Sequence, residues 1–140
     1  MRSGFTFFAL STLAVAAACA TIPVTGNPAT PVYAVAETEP VGTANEDAAD
    51  DPAIWRSAAS PAESLIVATD KKGGLYVYGL DGAIRSFHAQ PGLNNVDLVD
   101  MGNEGIIVFA SDRSDLANGK IALFRLDTDA AELVPLATLA

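Results

Sequence analysis

Charged and amide side chains gather at four places in this chain: Asp50-Asp51, Lys71-Lys72, Asn94-Asn95 and Asp112-Arg113. Carboxylate and carbonyl oxygens in loops suit a hard cation such as Ca²⁺, which takes about 6–8 oxygen ligands. Lysine and arginine beside such a cation make a site for an anion with several oxygens. Phosphate fits best, because charge-assisted hydrogen bonds and the metal act on it together. A metal-held water next to a phosphate ester is a competent nucleophile for hydrolysis. No EF-hand loop is present, since neither Asp81-Gly82 nor Asp127-Thr128-Asp129 continues with the required ligands. Any metal site must therefore be assembled from separate loops.

Other chemistries lack their residues. Cys19 is the single cysteine and His88 the single histidine. An internal disulfide, a Cys-rich zinc site and a His-cluster metal site are excluded. His88 is followed by Ala89-Gln90, so the Arg-His-Gly motif of histidine-type phosphatases is absent. Ser111 and Ser114 have no histidine close in sequence to complete a triad. His88 reads as an outward-facing strand residue, and Trp55 as core. The chain carries 17 acidic and 8 basic residues, a formal net charge of −9 and a pI near 4.3. Nucleic acid is not the expected partner, because phosphate backbones are bound by surplus Lys and Arg. An anionic substrate has to be drawn in by local cations or a metal. Without calcium such a face repels a polyphosphate; with calcium it binds one.

The elements that must position these groups are short strands. Pro52–Arg56, Ser64–Thr69, Leu75–Leu80, Ala83–His88, Val96–Met101, Ile106–Ser111 and Ile121–Leu126 are apolar runs separated by turn residues. Leu133–Leu139 begins a further one. Asp81-Gly82 is a two-residue hairpin signal, and Gly73-Gly74 allows the positive φ of a tight turn. The strands repeat. Asp51–Trp55 aligns with Asn95–Val99 at a shift of 44, Ile66–Asp70 with Val108–Asp112 at 42, and Gly74–Asp81 with Lys120–Asp127 at 46. Four short strands recurring every ~40–45 residues are the signature of propeller blades. The fold class expected is all-β, a β-propeller, with fewer than two blades in these residues.

In an antiparallel blade the start of strand one and the end of strand two lie together. Asp50 and Asp51 precede strand one of the first unit, and Asp70 and Lys71 follow its strand two. Asn94 and Asn95 precede strand one of the second unit, and Asp112 and Arg113 follow its strand two. Lys71 and Arg113 are thus equivalent positions, expected at one shared mouth near the acids and amides, with Asp97 a further neighbour. Lysine at a turn tip also serves plain solvation or edge protection. The recurrence of a cation at Arg113 favours a site for Lys71. Lys72 has Ser114 as its equivalent and is the lesser member.

Residues 1–18 have a basic start at Arg2 and an apolar run from Phe5 to Ala18, an export signal too short for a membrane span. Ala16-Ala17-Ala18-Cys19 resembles a bacterial lipobox, although Ala16 stands where Leu is usual. Lipid on Cys19 would explain the lone cysteine and give a stable membrane anchor. Cleavage after Ala18 or Ala20, with secretion, is the alternative. Residues 19–49 are rich in Pro, Thr, Ala and Glu and read as a tether. Within it 32–41 is a possible strand, and Pro40 suits an edge. Residues 50–140 are the folded part.

Asp50-Asp51-Pro52-Ala53-Ile54-Trp55, Thr69–Tyr78 with its Asp70-Lys71-Lys72-Gly73-Gly74-Leu75, Leu93-Asn94-Asn95-Val96-Asp97 and Ala110-Ser111-Asp112-Arg113-Ser114 resemble the β-propeller phytases, the calcium-dependent alkaline phytases of bacteria. The resemblance runs from about Ala34 to Asp127. It implies a six-bladed, monomeric propeller in the full-length family that releases phosphate from calcium–phytate. It implies Asp51 and the backbone carbonyls of Pro52 and Val96 as calcium ligands, with Asp50, Asn94 and Asn95 neighbouring the calcium cluster. Lys71 and Arg113, with Lys72 beside them, are implied as ligands of substrate phosphate. Val35–Val41 resembles the family strand that closes the ring onto the last blade. The family's later acidic ligands, tyrosine and further lysine have no counterpart here, so an N-terminal fragment, inactive and unstable alone, is expected. Two other functions fit the pattern of strands and acids. One is a non-catalytic exported propeller lipoprotein that binds a partner, in which Lys71 and Arg113 are surface charges. The other is a different calcium-dependent propeller hydrolase, such as a lactonase, which needs no paired cations.

Overall fold

The structure, a computed structural model, describes residues 26–27, 29–44 and 46–140. The export signal and Cys19 lie outside the described residues. The chain divides into two units, Met1–Val32 and Tyr33–Ala140, and the strands of the described residues lie in the second. Among the described residues no helix is long and apolar enough to cross a membrane.

Among the described residues eight strands form two four-stranded antiparallel sheets, each in sequence order. The first sheet is β1 (Ala49–Trp55), β2 (Leu65–Asp70), β3 (Gly74–Gly79) and β4 (Ile84–Ala89). The second is β5 (Leu93–Asp100), β6 (Ile106–Asp112), β7 (Lys120–Asp127) and β8 (Glu132–Leu139). The repeat seen in sequence is thus a repeat of sheets. Each strand sends alternate residues to opposite faces. In the first sheet Ala53, Leu65, Val67, Leu75 and Val77 share one face; in the second Val96, Val108, Ala110, Ala122, Phe124 and Leu126 do. These two faces meet in one core, closed by Leu93, Ile106 and Leu133. Val67, Val77 and Val108 are wholly buried there, each contributing about 1.5–3 kcal/mol by leaving water. Trp55 packs on the edge of this core, and its indole N–H donates to Asp100 Oδ2 at 3.2 Å.

Two expectations change on inspection. His88 faces inward, because Ile84, Ser86 and His88 are the half-buried alternates of β4, and its ring meets the edge of Phe124 with centroids 5.0 Å apart. Residues 32–41 carry no strand. With no ladder beside it, this stretch is tied only at its end. Glu39 N–H donates to Gly82 C=O at 2.8 Å, its carboxylate accepts Ile84 N–H at 3.0 Å, and Gly42 N–H donates to the Tyr76 hydroxyl at 2.8 Å.

The β2–β3 turn that carries the lysines depends on Gly74, whose φ is +147. A Cβ there would run into His88 C=O and Gln90 N–H of the neighbouring β4 end. Gly74→Ala is expected to destabilise the protein by roughly 1–3 kcal/mol through backbone strain, checked by chemical denaturation; an unchanged midpoint would remove this account of the turn.

Candidate functional site

The ladders do not stop before the polar pairs but run through them. Ala49 pairs with Asp70 and Pro52 with Ala68, so Asp50 and Asp51 together oppose Thr69 in a β-bulge. Asn94 pairs with Ser111 and Val96 with Ala110, leaving Asn95 as the extra residue of a second bulge. Asn95 takes φ +27, a left-handed conformation that asparagine tolerates better than most side chains. The placement of both pairs ahead of strand one is therefore corrected: they lie inside β1 and β5. A hydroxyl at the equivalent position repairs each bulge. Thr69 Oγ1 accepts Asp51 N–H at 2.9 Å and lies 3.3 Å from Asp51 C=O; Ser111 Oγ donates to Asn94 C=O at 3.1 Å.

The cations sit on turns built by buried aspartates. Asp70, 1 % exposed, accepts Lys72 N–H and Gly73 N–H through Oδ1, both at 2.9 Å, and Thr43 Oγ1–H through Oδ2 at 2.9 Å. Asp112 accepts Ser114 N–H at 2.8 Å. Each aspartate folds the two following residues back over itself, which throws Lys71 and Arg113 outward. A run of backbone hydrogen bonds then joins the two sheets. Lys71 N–H donates to Ala48 C=O at 2.9 Å, Gly92 N–H to Lys71 C=O at 3.0 Å, and Arg113 N–H to Gly92 C=O at 2.9 Å. The backbones that bear Lys71 and Arg113 are one hydrogen-bonded residue apart. Both line a single open pocket of about 270 Å³ with Asp47, Lys72, Gly92, Leu93, Asn94 and Leu116.

Lys71 is the more enclosed cation, its side chain 19 % exposed. Its ammonium lies 2.9 Å from Asp47 Oδ1 and 3.6 Å from Asp50 Oδ1. Lys72 reaches Glu46 at 3.5 Å. The hydrogen bond to Asp47 raises the pKa of Lys71 above its ordinary value, against a smaller opposing effect of burial. The same bond lowers that of Asp47. Among the described residues no carboxylate lies within ion-pair distance of Arg113.

Asp112 has its pKa lowered, first by the hydrogen bond from the Ser114 side chain and then by the Ser114 N–H. A carboxylate with a depressed folded pKa stabilises the fold above its unfolded value, 3.8, and loses that contribution as pH falls through the folded value. The turn carrying Arg113 is thus expected to weaken below about pH 4. Asp112→Asn should flatten that acid limb, measured by denaturation at pH 6 and pH 3; an identical pH dependence in the variant would contradict it.

Of the residues singled out in sequence, Lys71, Lys72, Arg113 and Asn94 line the pocket, and Asp50 reaches it through Lys71. Asp51 and Asn95 stand in the bulges. Pro52 follows in β1, and the Val96 side chain is buried in the core with only its carbonyl available. Asp97 is not among the pocket residues: it lies opposite Phe109, and its Oδ1 accepts Leu98 N–H. Residues missed in sequence are Asp47 and Glu46, hidden in what reads as tether, and the Thr69 and Ser111 hydroxyls, legible only once the bulges are known.

The donors here are hard oxygens, as calcium requires. Asn94 Oδ1 is buried without a hydrogen-bond donor, an acceptor that a cation would satisfy. Among the described residues, however, no three His, Cys, Asp or Glu side chains gather as a metal site. The donors fit calcium in kind but do not make up a complete ligand shell among the described residues.

Residues 5–138 match the family described as Phytase. The chain is 42 % identical over 106 residues to a 3-phytase of Bacillus subtilis (strain 168), an alignment covering 73 % of this chain and 27 % of that relative. The chain thus spans about a quarter of the length of the relative it matches. That family match takes in both sheets, both bulges and both cation-bearing turns, and with it the chain belongs to the phytase family.

Proposed function

We propose that these residues form one side of the active-site mouth of a calcium-dependent phosphomonoester hydrolase that releases inorganic phosphate from phytate, myo-inositol hexakisphosphate. The observation that carries this reading is the backbone run Ala48–Lys71–Gly92–Arg113, which sets two cations on one pocket. Lys71 and Arg113 bind and orient phosphate oxygens, and Arg113 can do so through two parallel N–H donors. Lys72 stands at the rim as a further attraction for a polyanion. Asp51 and the carbonyls of Pro52 and Val96 would hold calcium, with Asp50, Asn94 and Asn95 around it. Calcium bound there would neutralise phosphate charge and lower the pKa of water.

The two sheets are read as successive blades of a six-bladed propeller. Supporting this, each sheet still shows apolar residues on the face turned away from the core: Ile54 and Phe87 on the first, Val99, Ile121 and Val134 on the second. Such faces are buried when further blades stack on them. The protein is taken to act as an exported monomer, held to a membrane by lipid on Cys19 or secreted.

The test is phosphate release from phytate by the complete gene product, with and without a chelator. Activity lost in chelator and restored by calcium is expected. Undiminished release in chelator would contradict the metal's role, and no release under any condition would contradict the reading.

A further inference from the structure

Asp47 stands on the residues leading into β1 and places its carboxylate 2.9 Å from Lys71 Nζ, inside the pocket that Arg113 also lines. Its position is fixed by its neighbours. Ala48, next in sequence and 2 % exposed, accepts Lys71 N–H, and upstream Thr43 is bonded to Asp70. The Asp47 side chain is 90 % exposed and makes no hydrogen bond among the described residues other than that to Lys71. Its one side-chain tie is thus to Lys71. What it does is occupy the ammonium group assigned to substrate phosphate. Glu46 stands in the same relation to Lys72, more loosely, at 3.5 Å.

Resting on the function proposed above, we propose that Asp47 is an internal competitor for phosphate, which keeps Lys71 engaged until a divalent cation is present. An incoming phosphate must displace this carboxylate from Lys71 and then lie beside it, and like charges brought together oppose binding. A divalent cation at the mouth attracts the displaced carboxylate and relieves that repulsion. Cation and phosphate binding are then coupled through Asp47, each strengthening the other by the same factor. Arg113, with no carboxylate partner among the described residues, gives a first foothold that does not depend on the displacement.

The test uses the complete protein and inorganic phosphate as the probe, with binding followed by calorimetry in chelator and in calcium. Asp47→Asn is expected to bind phosphate about 2- to 5-fold more tightly than the parent in chelator, in the range of one partly exposed ion pair. It should also gain less than the parent from added calcium. Glu46→Gln should show the same signs with a smaller change. Asp47→Asn combined with Lys71→Met should lose the gain, because the contested group is gone. Equal or weaker phosphate binding by Asp47→Asn in chelator, with calcium-stimulated binding intact in the parent, would overturn this inference alone. Absence of phosphate binding by either protein in calcium would overturn the proposed function and this inference with it. Asp47→Ser, with a matching melting curve, separates loss of charge from any local disturbance: the same gain in binding is expected, and no gain would overturn the proposal.

Discussion

Arg113→Ala in the complete protein is expected to lower kcat/KM for phytate by roughly 10- to 150-fold, since one charge-assisted contact to a charged group is worth about 1.5–3 kcal/mol. Lys71→Ala should cost somewhat less. Removing Lys71 also releases Asp47 and Asp50, which leaves unpaired carboxylates in and beside the pocket, but it ends the competition that Asp47 imposes. Arg113→Lys is not conservative, because a point charge replaces a planar fork of donors; partial rescue, well short of the parent, is expected. Steady-state kinetics on phytate in calcium decide the matter. Parent-like kinetics for Arg113→Ala would return Arg113 to the status of a surface charge.

The second large effect concerns stability. Asp70→Ala leaves Lys72 N–H and the Thr43 hydroxyl without their acceptor beside a fully buried position, while Gly73 N–H keeps its second acceptor, the Asp70 C=O. Each unsatisfied group near the interior costs about 1–3 kcal/mol. Partial access of water to the turn limits the sum, and a loss of roughly 2–4 kcal/mol is expected. Asp70→Asn keeps one acceptor oxygen and should lose less than half as much. Asp112→Ala should also lose less, because Asp112 accepts one backbone N–H, that of Ser114, where Asp70 accepts two. Urea denaturation ranks the three variants. Asp70→Ala at parent stability would refute the claim that this aspartate builds the turn.

Much of this was legible in the sequence, for identifiable reasons. Strand alternation and turn glycines are local, so seven strands and the pairing within each sheet follow from Ile66, Val77, Val108 and their neighbours. The repeat carries long-range information, because equivalence of Lys71 and Arg113 forces them to the same end of adjacent units. The bulges were not legible. A residue that interrupts the ladder at Asp51 or Asn95 reads as a loop, and only the register reveals that β1 and β5 continue through it. The inward direction of His88 is hidden from the sequence for a related reason. Its direction depends on which alternates of β4 meet the second sheet, a fact of packing between sheets rather than of local pattern. Asp47 escaped notice because acidic residues in a Pro- and Ala-rich stretch look like solvated tether; its proximity to Lys71 arises from the backbone bond between Ala48 and Lys71.

Electrostatics bear on how an acidic chain would take the acidic substrate proposed above. Lys71 remains charged far above neutral pH, since its raised pKa means its ion-pair contribution is complete below the ordinary value of 10.5 and lost only as pH rises through the folded value. Asp47 stays ionised down to about pH 4 or below. Neither group of this pair is therefore expected to shape a pH–activity profile between about pH 5 and 9.

A crystal structure of the complete protein with calcium and inorganic phosphate tests the central claim most directly. The account predicts one phosphate whose oxygens lie about 2.7–2.9 Å from both Lys71 Nζ and the Arg113 guanidinium, with Asp47 turned away from the lysine. A phosphate bound elsewhere in the calcium-loaded protein, with Lys71 still paired to Asp47 and Arg113 in solvent, would contradict it.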